Sequence, residues 1–196
     1  MFTSRLGALT VAALLMSLTV FAQEDYTRFK SEAAVQALGS FVTQTTQNGI
    51  QHGATDSSGV LAAYRYYLNR HNGVEVNYAW TSNTENYNAF GADNNSHEFS
   101  AAYVFRMPMR RWSPFVLAGA SALIFDPANV AGASVQTRPA FVYGGGADFN
   151  LTSRLFVRAE YRGLVYNSPT YDLAGLNGLD RVTHRAEPAV GFGWRF

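Results

Sequence analysis

Cysteine is absent from the 196 residues, which removes one source of stability and one class of site. Without thiols there is no disulfide framework, and a metal or redox site built on thiolates is excluded. Lysine and arginine total 15 against 14 acidic residues, and they form no basic block. The charge pattern therefore gives no support for nucleic-acid binding.

Long apolar runs are also missing, except at the N-terminus. There a single Arg5 precedes the run Leu6–Ala22, which only Gly, Ser and Thr interrupt. This pattern predicts a signal peptide over residues 1–22, cleaved after Ala22 or Gln23, with an uncleaved anchor as the alternative. No later window holds about eighteen consecutive apolar residues, which excludes a transmembrane helix in the mature chain. A mature chain that enters a bilayer must do so as a closed β-barrel.

From about residue 36 the sequence divides into segments of roughly ten residues with alternating apolar positions. Stretches rich in Gly, Asn, Asp, Ser and Pro separate them, as is typical of transmembrane strands. The first segment is the weakest, because its two registers are almost equally apolar, and the even strand count of a barrel supports it. The spacing predicts eight strands, at about 36–46, 58–69, 73–83, 96–106, 113–125, 138–150, 154–166 and 187–196.

The connections between these segments alternate in length. Short periplasmic turns and longer extracellular loops give the same alternation in outer-membrane barrels. We therefore expect an all-β, eight-stranded, antiparallel up-and-down barrel over 36–196, after a periplasmic lead at 23–35. The short connections lie at 70–73, 107–112 and 151–153, and the long ones at about 46–57, 84–95, 126–137 and 167–183.

The outward register of these strands is rich in aromatic residues. Such side chains face lipid, and those near strand ends form girdles at the two membrane interfaces. The residues assigned to this register are Tyr64, Tyr66, Tyr78, Trp80, Phe99, Tyr103, Phe105, Phe115, Phe125, Phe141, Tyr143, Phe149, Tyr161, Phe192, Trp194 and Phe196.

The opposite, inward register collects five positive and four negative side chains. An eight-stranded barrel is only wide enough for side chains to fill, so we expect these charges to interlock as buried ion pairs and to leave no wide pore. The functional alternative is a narrow ion path or a gate. The predicted interior network is Arg65, Glu75, Arg106, Asp148, Arg158, Glu160, Arg162, Glu187 and Arg195.

Two stretches resemble a known family. The run YGGGADFNLTSRLFVRAEYRGLVY, residues 143–166, is similar to the penultimate hairpin of the outer-membrane β-barrel superfamily typified by OmpA, OmpX and the opacity and adhesion proteins. The terminal AVGFGWRF resembles the strand signal that the outer-membrane assembly machinery recognises, with Phe192, Trp194 and Phe196 as its aromatic positions. The resemblance implies a bacterial outer-membrane location, with membrane lipid and the assembly machinery as partners.

The same resemblance implies structural, adhesive or defence roles for small barrels of this kind. We expect the peptidoglycan-binding domain of the full-length OmpA-type proteins to be missing here, and we expect a monomer. Exposed aromatic groups in the loops, at Tyr87, Phe90 and Tyr171, are candidate contacts for an extracellular ligand. The first functional hypothesis is thus a non-enzymatic barrel that binds a surface partner or supports the envelope.

Two further hypotheses stay open: a narrow pore for ions or small solutes, and a lipid A-modifying enzyme. The lipid A deacylases carry a His-x-Ser pair on a late strand, whereas His184 is followed by Arg185 and Ala186. The sequence therefore predicts no catalytic residues, no metal and no cofactor. A soluble lipid-binding barrel is the structural rival, because it too can have eight strands, with the apolar face turned inward.

Overall fold

The computed structural model describes residues 29–47, 50–87, 90–128, 134–170 and 181–196. The predicted signal peptide, the lead up to residue 28 and the candidate contact Tyr171 lie outside these residues. Within the described part of the chain, no helix is long and apolar enough to cross a membrane.

Ten strands of the described chain join in one antiparallel sheet. They are β1 Ser31–Val42, β2 Thr45–Gln47, β3 Ile50–Ala54, β4 Ser57–Tyr67, β5 Asn72–Tyr87, β6 Phe90–Arg106, β7 Trp112–Pro127, β8 Gln136–Asn150, β9 Leu155–Asn167 and β10 Val182–Arg195. Eight of these strands, β1 and β4 to β10, form the barrel. From β4 to β10 each strand pairs with the next one along the chain, and β1 pairs with both β4 and β10. Because β1 pairs with β10, the sheet closes into the predicted eight-stranded barrel.

The last strand shows how the sequence specifies the two faces. Alternate strand residues point to opposite sides of a sheet. In β10, Val190 and Phe192 are 54% and 63% exposed on the outside, whereas Glu187 and Arg195 are 0% and 2% exposed on the inside. A soluble barrel with an apolar interior would show the reverse, so this distribution excludes the structural rival.

Strand boundaries differ from the prediction at both ends of the barrel. β1 begins at Ser31, so residues 31–35, assigned to the periplasmic lead, belong to the barrel. The long connection predicted at 84–95 is mostly strand, because β5 continues to Tyr87 and β6 begins at Phe90. Polar residues can extend a strand wherever a neighbour supplies backbone partners, which a pattern based on apolar alternation does not detect.

The register assigned to β7 is wrong for two aromatic residues. Phe115 and Phe125 were expected to face lipid, yet they are 3% and 0% exposed inside the barrel. Both faces of β7 are apolar, so alternation could not distinguish inside from outside there. Their rings belong to an apolar cluster that β6 to β9 build on the inner wall, together with residues such as Leu123 and Val142.

One inward glycine permits close packing next to the charged interior. A Cβ atom on Gly193 would lie 2.1 Å from the Phe156 ring. The ring fills the space that this glycine leaves, and it contacts the guanidinium groups of Arg158 and Arg195 from 5.1 and 4.5 Å. The absence of a side chain at 193 thus lets an aromatic face support two buried charges.

Candidate functional site

The barrel interior is charged, and its charged side chains are almost fully enclosed. All nine residues of the predicted interior network are buried there. Three further charged residues, Glu32, Glu98 and Arg185, are buried with them. The described interior therefore holds six arginines and six carboxylates, a neutral set in which every member except Glu160 belongs to one of two ion-pair clusters.

The larger cluster surrounds Glu32 near the periplasmic end. Arg106, Arg158 and Arg195 approach the Glu32 carboxylate at 2.9, 3.0 and 2.8 Å. The Tyr67 hydroxyl also donates a hydrogen bond to it at 3.2 Å. Four donors from four strands thus converge on one carboxylate. We call this set the Glu32 cluster; its charged members are Glu32, Arg65, Glu75, Arg106, Asp148, Arg158 and Arg195.

Two adjacent-strand pairs complete the Glu32 cluster. Arg158 donates to both oxygens of Asp148, from Nε at 2.7 Å and from the terminal nitrogen at 3.0 Å. Arg65 donates from Nε to Glu75 at 2.7 Å. These are cross-strand partners in the register, Asp148 with Arg158 and Arg65 with Glu75. Bidentate and cross-strand pairs of this kind fix the orientation of each guanidinium group.

A smaller cluster lies further toward the extracellular side. Arg162 is ion-paired with Glu98 and donates to Ser100 at 3.0 Å and to Glu187 at 3.5 Å. Arg185 contacts Glu187 at 3.6 Å. We call Glu98, Arg162, Arg185 and Glu187 the Arg162 cluster; its two positive and two negative charges balance.

Glu160 lies in the interior but belongs to neither cluster. Gln36 donates a hydrogen bond to its Oε1 at 3.0 Å. Its Oε2 has no hydrogen-bond partner among the described residues, and no ion pair within 4.0 Å is formed there. Burial alone therefore does not make Glu160 part of the predicted interlocking network.

The three interior charges that the sequence analysis missed carry the two clusters. Glu32 was overlooked because the first strand was placed too late. Glu98 and Arg185 could have been predicted from the sequence. Glu98 lies an even number of residues from Arg106, and Arg185 an even number from Glu187, both of which were assigned to the inside. Extending each register by its own parity would have found both of them.

The outward face of β5 and β6 marks where the lipid ends. On β5 the apolar outward series ends at Trp80 and is followed by exposed Ser82. On β6 the outward series changes from Phe99 to His97 and Asn95, and the Tyr78 hydroxyl lies 2.9 Å from the His97 ring. A tilted strand needs about 9–11 residues to span the membrane. β5 and β6 have 16 and 17 residues, so both continue beyond it.

The protruding ends of β5 and β6 form part of a small sheet outside the lipid boundary. β3 pairs with β5 from His52 opposite Tyr87 to Ala54 opposite Glu85, and β2 pairs with β3. The backbone amide of Thr55 donates to the Thr84 carbonyl at 2.9 Å, which fixes the β3 to β4 connection against this sheet. We call this surface the outer sheet: β2, β3, residues 82–87 of β5 and 90–95 of β6.

The candidate loop contacts fall in or beyond the outer sheet. Tyr87 and Phe90 are backbone partners at the tip of the β5–β6 hairpin, while Tyr171 lies outside the described residues. The ring of His184 bonds the Tyr143 hydroxyl at 3.0 Å rather than a serine. Among the residues that the structure describes, no three His, Asp or Glu side chains group as a metal site.

The fold and its two faces define an outer-membrane β-barrel: a closed antiparallel sheet with a lipid-facing apolar belt and a polar interior. The chain belongs to the family described as outer membrane protein beta-barrel domain, whose model matches residues 8–196. The protein is accordingly a component of the bacterial outer membrane. A comparison with curated protein sequences gives no match.

Solved structures of small outer-membrane barrels share this fold. Neisserial surface protein A superimposes with a TM-score of 0.65 at 15% identity, covering 85% of this chain and 97% of that one. OprG from Pseudomonas aeruginosa gives 0.61 at 13% identity, covering 88% and 99%. Ail, the attachment invasion locus protein of Yersinia pestis, gives 0.54 at 20% identity, covering 86% and 99%. At these identities the similarity concerns the fold alone.

Proposed function

We propose that this protein is a closed, non-enzymatic barrel that presents the outer sheet as a binding surface for an extracellular partner. The observation that carries the proposal is the length of β5 and β6, which hold a four-stranded surface clear of the membrane. A loop that only connected two strands would need two to five residues. The extra length instead builds a paired, ordered sheet on a rigid scaffold, which is where binding residues are commonly placed.

The filled interior supports the part of this proposal that describes the barrel as closed. Both charge clusters have side chains exposed by 3% or less. An apolar cluster from β6 to β9 fills further space inside the barrel. An interior occupied by paired charges and packed apolar groups leaves the outside of the barrel as the surface for function.

A trimmed variant tests the surface role. Replacing residues 84–93 by Asn-Gly joins Asn83 to Asn94, which are paired in the register, through a tight two-residue turn. Bacteria that display the full or the trimmed protein are then incubated on arrays of immobilised glycans and matrix proteins. We expect binding above the empty-vector strain for the full protein and loss of that binding for the trimmed one.

A control is needed because the trimmed barrel also loses the strand that supports β2 and β3. Electrophoretic mobility of unheated and heated samples reports whether the barrel is folded. A variant with Asp56→Asn, an exposed carboxylate outside the paired strands, serves as the surface-charge control. A trimmed, folded protein that binds as well as the full one contradicts the proposal.

The second candidate function is a narrow pore for ions. The observation that favours it is the succession of charged clusters along the barrel axis, since a chain of charges can serve as an ion path. The two functions differ in what they require of the interior: the scaffold needs the ion pairs intact, whereas conduction needs them to separate.

A further inference from the structure

A cavity of about 100 Å³ lies at the periplasmic end of the barrel, where β1 begins and a short turn joins β4 to β5. Lys30, Arg70 and Arg106 line it, and the described residues of its lining include no Asp or Glu. Lys30 and Arg70 are exposed on the periplasmic side, while Arg106 lies at the inner end and is buried. Three cations thus surround a space open to the periplasm.

Arg106 is incompletely bonded within this cavity. One terminal nitrogen donates to Glu32 at 2.9 Å, and the guanidinium carbon lies 3.6 Å from the centre of the Tyr67 ring. Its Nε is buried and has no hydrogen-bond partner among the described residues. The Arg162 Nε is equally buried and unbonded away from this cavity, so it is the place of Arg106 in the cavity lining that points to a ligand.

The negative charge nearest to Arg106 is that of Glu32, which several arginines share. Four arginines share three carboxylates in this cluster, and Glu160, the remaining carboxylate of the interior, balances the fourth positive charge. Among the described residues, Arg106 pairs with Glu32 alone, and Glu32 is shared with Arg158 and Arg195. Arg106 therefore has a share in one carboxylate, and the described residues that line the cavity with it supply no further negative charge.

We propose that this cavity binds a phosphate-type oxyanion, held by Lys30 and Arg70 at the entrance, with the Arg106 guanidinium group at the inner end. Charge-assisted hydrogen bonds from arginine and lysine are the usual means of holding phosphate oxygens. The oxyanion is either free inorganic phosphate or the phosphate of an anionic phospholipid in the periplasmic leaflet. This site lies at the opposite end from the outer sheet and does not depend on the proposed surface function.

The test uses the full protein folded in phosphatidylcholine vesicles at constant ionic strength. Inorganic phosphate is titrated, and the midpoint of urea unfolding is followed by tryptophan fluorescence, because a ligand that binds only the folded state raises that midpoint. A second series replaces part of the phosphatidylcholine by phosphatidylglycerol. We expect a saturable rise in at least one series.

Three variants decide whether the effect comes from this cavity. Lys30→Gln and Arg70→Gln each remove one exposed cation from the entrance, and each should raise the apparent Kd about tenfold, which is the loss expected for one charge-assisted contact. Arg111→Gln is the matched control, because Arg111 is an exposed cation of the neighbouring periplasmic turn that does not line the cavity. It should leave the apparent Kd unchanged.

The possible outcomes distinguish the two sources of the oxyanion and identify the results that would overturn the proposal. A saturable rise with inorganic phosphate assigns a free oxyanion, and a rise with phosphatidylglycerol alone assigns the lipid headgroup. A rise that is linear, or equal in Arg111→Gln and in the two entrance variants, is a general salt effect and overturns the proposal. So does a complete lack of response in both series.

One internal occupant must be distinguished from an external oxyanion. Glu24 and Asp25 precede Phe29, which also lines the cavity, and their carboxylates would satisfy the same donors. The double variant Glu24→Gln/Asp25→Asn removes them. If the original protein does not respond and this variant alone binds phosphate, the site belongs to the chain's own carboxylates and the proposal is overturned.

Discussion

Glu32 and Glu160 are both buried carboxylates of the same barrel, yet their surroundings differ. Glu32 accepts from three arginines and a tyrosine at 2.8–3.2 Å, whereas Glu160 accepts one hydrogen bond from Gln36. The comparison teaches that burial of a charge does not by itself make it structurally important. Its contribution depends on how many partners would be left uncompensated if it were removed.

The largest effect should come from Glu32→Gln. This change keeps the side-chain volume but leaves Arg106, Arg158 and Arg195 without their shared negative charge. Removing one partner of a buried ion pair costs about 3–5 kcal/mol, and we expect a loss of unfolding free energy in that range. Urea unfolding in lipid vesicles measures it, with the exposed Asp56→Asn as control. Equal stability of the two variants would show that the Glu32 cluster contributes nothing.

The Arg162 cluster should show a smaller but measurable coupling. A double-mutant cycle with Glu98→Ala and Arg162→Ala isolates the interaction between these two ion-paired residues. We expect a coupling energy of about 2 kcal/mol, within the range for residues of one network. Glu98→Ala paired with the exposed Arg111→Ala serves as the control cycle. A coupling as small as in that cycle would contradict the proposed pairing.

Crowding the Phe156 ring, which lies next to the Glu32 cluster, should lower the unfolding free energy by less than the loss expected for Glu32→Gln. In Gly193→Ala the new Cβ would lie 2.1 Å from the Phe156 ring, so the ring must move away from Arg158 and Arg195. Overpacking of this kind costs about 1–3 kcal/mol. The companion Gly193→Ala/Phe156→Leu should recover part of the loss in the same urea assay. A double variant with strictly additive losses would argue against this contact as the cause.

The smallest effect should come from Glu160→Gln. The amide oxygen of the new side chain can still accept from Gln36, and no ion pair within 4.0 Å is lost among the described residues. We expect a change below about 1 kcal/mol, the net contribution of an ordinary hydrogen bond. A loss as large as that of Glu32→Gln would abolish the distinction between the two carboxylates.

Much of the barrel could be predicted from alternation, and the failures have physical causes. The C-terminal strand was predictable because its apolar and charged residues separate cleanly onto two faces. Phe115 and Phe125 were not, because β7 is apolar on both faces and the inner wall of a barrel can be apolar locally. An apolar/polar pattern does not contain the information that the interior is charged at some positions and packed with apolar side chains at others.

The candidate site was predictable in kind but not in its organisation. The register showed that arginines and carboxylates share the inside, yet the sequence does not say which of them meet across the barrel. Glu32 contacts residues up to 163 positions away, and such pairs depend on strand stagger rather than on local spacing. The outer sheet was missed for a related reason: polar strands are held by backbone pairing, and their side chains carry no periodic signal.

The central claim is that the paired charges keep the barrel closed, and the current through single inserted molecules tests it most directly. The full protein is added to a planar lipid bilayer, and insertion is verified by protease protection in liposomes. The double variant Glu98→Ala/Arg162→Ala, which removes an ion pair from the interior, is measured beside it. The account predicts inserted full protein without current steps, and steps only in the double variant. Reproducible discrete steps from the full protein would contradict the closed scaffold and make the narrow pore the leading function.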